Sequence, residues 1–267
     1  MNEFIFDEQS IQNELDKERK IYIYDKAGSS NTIARDLCLN GEEEGSVVIV
    51  KSQTQGKGRM GRSFLSSSEN GLYMSVILRP QIPAEECVNI TVLGAVAVLE
   101  AIEELTNKQA QIKWVNDIYI NDKKCCGILT EASIDVKSGG LNYAIIGIGV
   151  NLCPPKGGFD KEIQDIACGV YEDSCPSDFK YKLCAQIVNK LFKYYDSIQS
   201  KSYLKQYKEK SYIIGKDVDV YVGNECFVGT AVDIDENANL IVKDKNGVLH
   251  TFNSGEARVR RAGTSIT

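Results

Sequence analysis

The sequence is poor in the residues that build structural metal sites. It contains a single histidine, His250, and none of its nine cysteines forms a Cys-x-x-Cys pair. Structural zinc sites take their ligands from such pairs and from closely spaced histidines, so we predict no metal ligands and treat His250 as a strand residue. The odd cysteine count and the lack of an export signal favour reduced thiols over disulfides.

Long apolar runs and a surplus of positive charge are also missing. No 18 apolar residues run together, and residues 1–20 have no apolar segment behind a basic one, so we expect a cytoplasmic protein without a membrane partner. A net charge of −6 and a pI near 5.1 argue against the broad basic face of nucleic-acid binders. Any cationic site must therefore be local.

With 267 residues, 43% of them apolar, the chain is long enough for one large and one small domain. Hydrophobic periodicity predicts an α+β protein in which strands and helices mix over residues 1–212 and a small all-β barrel follows over residues 213–267. In the first part we predict strands at 20–25, 46–51, 71–79 and 141–150, helices ending at Leu39 and spanning 84–105 and 179–198, and a hairpin over 112–133. In the second part, short alternating strands follow one another from residue 218 to residue 252.

The most informative motif is Gln-Thr-Gln-Gly-Lys-Gly-Arg-Met-Gly-Arg, residues 53–62. Glycines allow close approach of the backbone to a ligand, and the three cations can neutralise negative charge. The segment contains Gly-x-Gly-x-x-Gly, but a dinucleotide fingerprint needs a helix after it, and here a polar stretch and another strand follow. It is also neither a Walker loop nor a kinase loop. A different anion-binding loop and a mobile solvated turn remain open.

Three later segments add polar groups. They are Lys-Trp-Val-Asn-Asp at 113–117, a lysine followed by Gly-Ile-Leu at 124–129, and Gly-Ile-Gly-Val-Asn at 147–151. Taken singly, each has an ordinary explanation as a strand edge, a solvated lysine or a strand end. Their joint occurrence and order favour a common site.

Taken in order with Gly-Ser-Ser-Asn at 28–31, these segments resemble the biotin protein ligase family over nearly the whole chain. Its signatures are Gly-Ser-Thr-Asn, Gly-Arg-Gly-Arg-x-Gly-Arg, Lys-Trp-Pro-Asn-Asp, Lys-x-x-Gly-Ile-Leu and Gly-x-Asn. Three positions depart from them: Ser30 replaces threonine, Lys57 replaces arginine and Val115 replaces proline. Lysine lacks the planar fork of arginine, and valine removes a φ constraint beside Asn116.

The resemblance implies a mixed-sheet catalytic domain of the biotin/lipoate ligase type and an SH3-like C-terminal domain. It further implies two steps. Biotin carboxylate attacks the α-phosphate of ATP to give biotinyl-5′-AMP and pyrophosphate, and a lysine of a biotin carboxyl carrier domain then takes the biotinyl group. The implied substrates and cofactor are biotin, ATP and Mg²⁺. A glycine-rich loop over residues 56–68 is expected to order over the adenylate.

The same resemblance assigns residues to the site. The catalytic residues are Arg59, Lys124 and Asp117. Those expected at biotin are Ser29, Ser30, Asn31, Gln53, Gly56, Lys57, Gly58, Arg59, Lys124 and Gly127. Those expected at ATP or the adenylate are Arg59, Arg62, Lys113, Trp114, Asn116 and Asn151.

Some family members also repress transcription through an N-terminal helix-turn-helix domain. Only about twenty residues precede the first predicted strand, so we expect a ligase that lacks it and has no nucleic-acid partner. A homodimer through an exposed sheet edge is compatible with the fold. Two alternatives are a lipoate–protein ligase, which shares the fold, and a non-catalytic binding module whose cationic loop contacts anions.

Overall fold

The computed structural model describes residues 6–66 and 70–260. The α-helices of these residues are α1 (Glu8–Gln12), α2 (Ser30–Leu39), α3 (Val88–Thr106), α4 (Phe179–Tyr195) and α5 (Tyr203–Glu209). The strands of the larger part are β1 (Ile21–Ala27), β2 (Val47–Gln53), β3 (Gly71–Leu78), β4 (Gln111–Lys113), β5 (Asp117–Ile120), β6 (Lys123–Ile134) and β7 (Leu141–Asn151). The smaller part contains β8 (Asp217–Val222), β9 (Glu225–Ile234), β10 (Leu240–Lys243), β11 (Leu249–Phe252) and β12 (Glu256–Val259).

The seven strands of the larger part form one mixed sheet in the order β1-β2-β3-β7-β6-β5-β4. Only β1 and β2 pair in parallel among the described strands, and α2 connects them. The other neighbours are antiparallel. The predicted mixed sheet is confirmed.

Helices cover both faces of the sheet, which explains why every residue of β3 is buried. On one face, Ala34 and Cys38 of α2 pack against Val48, Ile77 and Ile145. The neighbouring residues of the same strands point to the opposite face and join the larger core under α3 and α4. Alternate strand residues therefore serve two cores, as the two-residue period of a strand requires.

The predicted hairpin and turn are confirmed. Asn121 and Asp122 connect β5 to β6 and both have positive φ, 50° and 61°. Two positive-φ residues define the hairpin turn whose twist matches that of the flanking strands. The paired strands bring Lys124 near the start of β6 next to Asp117 at the start of β5, with 2.7 Å between Nζ and Oδ1.

Some boundaries differ from the predictions. The helix predicted from residue 84 begins at Val88, since Ala84–Glu86 after Pro83 form a 3₁₀ turn. The helix predicted to reach residue 198 ends at Tyr195. Ser29 is the N-cap residue of α2, but its side chain makes no capping hydrogen bond within the described residues. Helix α1 and strand β12 were not predicted.

The smaller part is an antiparallel sheet in the order β11-β10-β9-β8-β12. This confirms the predicted α+β class with a small all-β C-terminal part. Within residues 213–260, the strand pairing does not close the sheet into a ring. The predicted barrel is therefore not closed by hydrogen bonds within these residues, and the sheet is compatible with the expected SH3-like domain.

A buried hydrogen bond joins the two parts, since Trp114 Nε1 donates to the carbonyl of Ala238 in the small sheet at 2.9 Å. Within the larger part, Tyr207 Oη of α5 donates to the carbonyl of the next residue, Val115, at 2.9 Å. Both hydrogen bonds involve the segment 113–117. The small sheet is therefore joined to the larger part beside a predicted site motif.

Within residues 6–66 and 70–260, no helix combines the length and the apolarity needed to cross a membrane. All nine cysteines have free thiols.

Candidate active site

One cleft brings together most of the predicted site residues. It lies between the N-terminus of α2, the loop after β2, and strands β6 and β7. The predicted residues that line it are Ser29, Ser30, Asn31, Gln53, Lys57, Gly58, Arg59, Asn116, Lys124 and Gly127. The lining residues that were not predicted are Phe64, Ile128, Leu129, Gly147, Ile148 and Gly149.

The remaining predicted residues lie around this cleft. Gly56 lies within the loop, and its carbonyl accepts a hydrogen bond from the backbone N–H of Phe64 at 2.9 Å. Arg62 contacts the small sheet, and Trp114 is buried against it. Asn151 at the end of β7 donates to the carbonyl of Cys168 at 3.3 Å.

A buried polar network forms one wall of the cleft. The Ser30 backbone N–H donates to Gln53 Oε1 at 2.8 Å. Ser75 Oγ lies 2.8 Å from Ser30 Oγ and 2.6 Å from Asn31 Oδ1. Asn31 Nδ2 donates to Glu131 Oε2 at 2.7 Å. Because Ser30, Asn31, Gln53 and Ser75 are buried and already oriented, the wall can bind a neutral polar ring with little reorganisation.

Glycines allow close approach at the floor of the cleft. A Cβ on Gly147 would lie 2.0 Å from Asn31 Oδ1, so only glycine permits the observed position of Asn31. The ring of Phe64 covers two more glycines, since a Cβ would meet it at 3.1 Å from Gly127 and at 2.7 Å from Gly149. Phe64 and Ile148 thus form an apolar slot beside the polar wall.

Positive charge lies at the other end of the cleft. Arg59 donates to Asn116 Oδ1 at 3.2 Å, and burial lowers the pKa of its guanidinium. Lys124 Nζ lies 2.7 Å from Asp117 Oδ1. Lys57 Nζ is 3.5 Å from Glu131 Oε1. These three cations surround a space that an anionic ligand can enter.

Lys113 lies behind this cluster rather than in the cleft lining. Its ammonium contacts Tyr119 Oη at 3.3 Å, and burial lowers its pKa despite the nearby carboxylate of Asp117. A cation that lies behind the cleft adds positive potential to it without direct contact with a ligand.

The loop cation Arg62 forms an ion pair with Glu256 of β12, which Arg258 also contacts. The hydrogen bond from Arg62 is the main cause that lowers the pKa of Glu256 from 4.5 to about 2. The glycine-rich loop is thus tied to the small sheet by charge. Neither Glu256 nor its strand was predicted.

This ion pair predicts a defined pH dependence of stability. A carboxyl group whose pKa is depressed in the folded state stabilises that state above its unfolded pKa. The free energy of unfolding of Glu256→Gln should therefore lie below that of the wild type by a constant amount above pH 4.5. The difference should shrink as the pH falls from 4.5 towards 2. Urea unfolding at a series of pH values measures it.

The control is Glu225→Gln, at an exposed residue of the same sheet. It should show no such change with pH. A difference for Glu256→Gln that is independent of pH would contradict the electrostatic explanation.

Mg²⁺ commonly binds one or two carboxylates together with the phosphates of a nucleotide. No group of three or more His, Cys, Asp and Glu side chains that could hold a metal occurs in residues 6–66 and 70–260. Asp117 Oδ1, however, is buried and accepts no hydrogen bond from the described residues besides its ion pair with Lys124. The side chains at the cleft therefore fit an ion that takes most of its ligands from a bound phosphate group.

Comparison with known proteins identifies the family. Residues 26–151 match the biotin/lipoate A/B protein ligase family, and residues 213–260 match the biotin protein ligase C-terminal domain. The bifunctional ligase/repressor BirA of Bacillus subtilis is 32% identical over 247 residues, which cover 91% of this chain and 75% of that protein. The biotin–(acetyl-CoA-carboxylase) ligase of Mycobacterium tuberculosis is 24% identical over 94% of both chains.

Solved structures agree with these sequence matches. The biotin protein ligase from Aquifex aeolicus in complex with biotin and ATP superposes with a TM-score of 0.72 and 26% identity. The match covers 91% of this chain and 99% of that chain. The fold, the order of the motifs and these matches together place the chain in the biotin protein ligase family.

Proposed function

We propose that this ligase activates biotin with ATP and transfers it to a lysine of a biotin carboxyl carrier domain. The observation behind the proposal is that one cleft joins a buried polar wall, an apolar slot and a group of cations. The M. tuberculosis relative is named as a ligase of acetyl-CoA carboxylase, and a carrier domain of such a carboxylase is the acceptor we propose here.

Biotin would lie along the wall and the slot. Its ureido ring can bond to the polar groups of Ser29, Ser30, Asn31 and Gln53, while its apolar part contacts the glycine floor. Gly56, Lys57 and Gly58 would close the site from the loop, with Gly127 below. The carboxylate would then reach the cations Arg59 and Lys124.

ATP would occupy the cationic end. A carboxylate that approaches a polyphosphate is repelled, and fixed positive charges lower the barrier by stabilising the charge that develops on phosphorus. Arg59 and Lys124 supply these charges, and Lys113 adds to the potential from behind. Arg62, Trp114, Asn116 and Asn151 are the further residues proposed for the nucleotide. Asp117 is the residue that would hold Mg²⁺ bound with ATP, and the ion would neutralise phosphate charge there.

The mixed anhydride is sensitive to water, so the site must be closed after activation. The loop that bears Lys57, Arg59 and Phe64 lies over the cleft. Closing such a loop excludes water from a reactive intermediate. Of the predicted mobile segment 56–68, residues 67 and 68 lie outside the described residues, and its mobility stays a prediction.

Asp117 is also the proposed partner of the acceptor amine, which must be neutral to attack. Transfer from preformed biotinyl-5′-AMP should fall by about 100-fold in Asp117→Asn, the usual scale for loss of a positioned base. Starting from the adenylate separates this step from activation. The control is Asp122→Asn in the hairpin turn, where asparagine tolerates the positive φ. Unchanged transfer in Asp117→Asn would remove this role.

Several wider statements belong to the proposal. We propose that residues 1–212 form the catalytic domain and 213–267 the C-terminal domain, and that the protein acts in the cytoplasm. Two further predictions are that the protein has no nucleic-acid partner and that it forms a homodimer. For the dimer, β1 pairs with β2 alone among the described strands, and such an edge can pair with a second copy.

Release of pyrophosphate from ATP in the presence of biotin or of lipoate tests the proposed function. Biotin should stimulate release, and lipoate should not. Stimulation by lipoate alone would indicate a lipoate ligase instead. If neither biotin nor lipoate stimulates pyrophosphate release by folded protein that binds ATP, the binding-module alternative remains.

A further inference from the structure

Two cysteines outside the proposed substrate cleft lie opposite each other behind Lys124. The segment after β7 forms a parallel bridge between Ala167 and Lys124. Lys124 N–H donates to the carbonyl of Ile166 at 2.8 Å, and Cys168 N–H donates to the carbonyl of Lys124 at 2.9 Å. This register places the next residues, Cys125 and Cys168, side by side. Paired strands are about 4.8 Å apart, within the roughly 4.4 to 6.8 Å between Cα atoms that disulfides span.

The two thiols also contact backbone carbonyl groups of the same hairpin. Cys125 Sγ lies 3.5 Å from the carbonyl of Ile118, and Cys168 Sγ lies 3.6 Å from that of Ile120 and 3.4 Å from that of Lys123. Both sulfur atoms therefore occupy one small space beside the hairpin of β5 and β6.

The two cysteines differ in access to solvent. Cys125 is fully buried, whereas Cys168 is half-buried and lines an open cleft of about 350 Å³. Lys108 and Lys123 line the same cleft, together with Glu172. The hydrogen bond from Cys125 is the main cause that lowers the pKa of Cys168, with the two lysines adding to it against the effect of burial. Cys168 is thus the accessible nucleophile and Cys125 the protected thiol behind it.

We propose that Cys168 and Cys125 form a peroxide-responsive dithiol whose disulfide slows the ligase. The Cys168 thiolate attacks one oxygen of a hydroperoxide, which breaks the O–O bond, releases an alcohol or water after protonation, and leaves a sulfenic acid. The Cys125 thiol then attacks the Cys168 sulfur, the S–S bond forms, and water leaves. Two thiols are oxidised and one peroxide is reduced, so the electrons balance.

The link to activity rests on the proposed function, because it runs through Lys124. This lysine directly precedes Cys125, and its backbone N–H and carbonyl both bond to the segment 166–168. Formation of the disulfide pulls the two sulfur atoms away from their carbonyl partners. It therefore moves the backbone of Lys124, which is held by these two hydrogen bonds. A displacement of about 1 Å at a reacting group can lower a rate by about 100-fold, and we expect a loss of that order.

The test is treatment of the full chain with hydrogen peroxide, followed by assay of biotinyl-5′-AMP formation and peptide mapping. The expected result is a link between Cys125 and Cys168, a loss of activity, and recovery of activity with dithiothreitol. Fragmentation of the linked peptide distinguishes Cys125 from its neighbour Cys126. Cys168→Ser should keep its activity in peroxide. Cys175→Ser is the control, since Cys175 belongs to another close thiol pair, with Cys153, and it should stay sensitive.

Three results would overturn the proposal: no link between Cys125 and Cys168, a link without loss of activity, or protection by Cys175→Ser instead of Cys168→Ser. The mapping uses wild-type protein, so it stands even if a variant fails to fold. Should the untreated protein form no biotinyl-5′-AMP, the proposed function fails while the mapping still tests the dithiol.

Discussion

Replacing Lys124 with methionine is expected to lower the rate of biotinyl-5′-AMP formation by about 100- to 1000-fold, the usual cost of removing one fixed electrostatic contact to a developing charge. Methionine keeps most of the side-chain length and removes the charge. Lys124 is the cation of the cleft that pairs with Asp117, at 2.7 Å, and it also lies 5.9 Å from the centre of the Phe64 ring. Its position is thus fixed from two sides.

The adjacent lysine provides a matched control. Lys123 Nζ donates to the carbonyl of Gln164 at 3.1 Å and lies outside the substrate cleft. Lys123→Met removes the same charge one residue away and should leave adenylate formation near the wild-type rate. Quenched-flow measurement of adenylate in a single turnover separates the chemical step from product release. Equal losses in the two variants would show that general charge, not the position of Lys124, sets the rate.

The second large effect is expected at Gly147, where alanine should weaken biotin binding by about 10- to 100-fold. A new Cβ would lie 2.0 Å from Asn31 Oδ1. Asn31 cannot move freely, since it also contacts Ser75 Oγ at 2.6 Å and Glu131 Oε2 at 2.7 Å. Overpacking of this kind costs about 1 to 3 kcal/mol, and about 1.4 kcal/mol corresponds to a tenfold change in affinity. Calorimetric titration with biotin measures the loss.

Gly140→Ala is the control for Gly147→Ala. A Cβ there would meet its nearest atoms at ordinary distances of 3.4 and 3.7 Å, so biotin affinity and stability should both be retained. Thermal unfolding of the two variants shows whether the loss at Gly147 is local. Wild-type affinity in a folded Gly147→Ala protein would exclude Asn31 from the biotin site.

Local patterns in the sequence were sufficient to predict most of the fold. The alternation in β8 to β11, the apolar residues of α3 and the turn at Asn121 are properties of neighbouring residues, and the structure confirms them. Helix α1 has only five residues, and a helix this short leaves too little periodicity for a sequence pattern to indicate it.

The cleft was harder to predict because its walls come from distant parts of the chain. Ser75 lies 44 residues from Asn31 and completes the polar wall. It is a polar residue inside an otherwise apolar strand, and that was a usable signal. Glu256 contacts Arg62 across 194 residues, and no local pattern indicates that pairing. The resemblance to a family identified the glycine-rich loop as part of the site. Which distant side chains contact the loop could be seen only in the structure.

The most direct test of the central claim is transfer of radiolabelled biotin to the lysine of a purified biotin carboxyl carrier domain, with ATP and Mg²⁺ and with lipoate as the competing acid. We expect biotin incorporation that depends on ATP and that excess lipoate leaves unchanged. Lys124→Met should abolish it, and Lys123→Met should not. Incorporation of lipoate in place of biotin, or no incorporation of either acid by folded protein, would contradict this expectation.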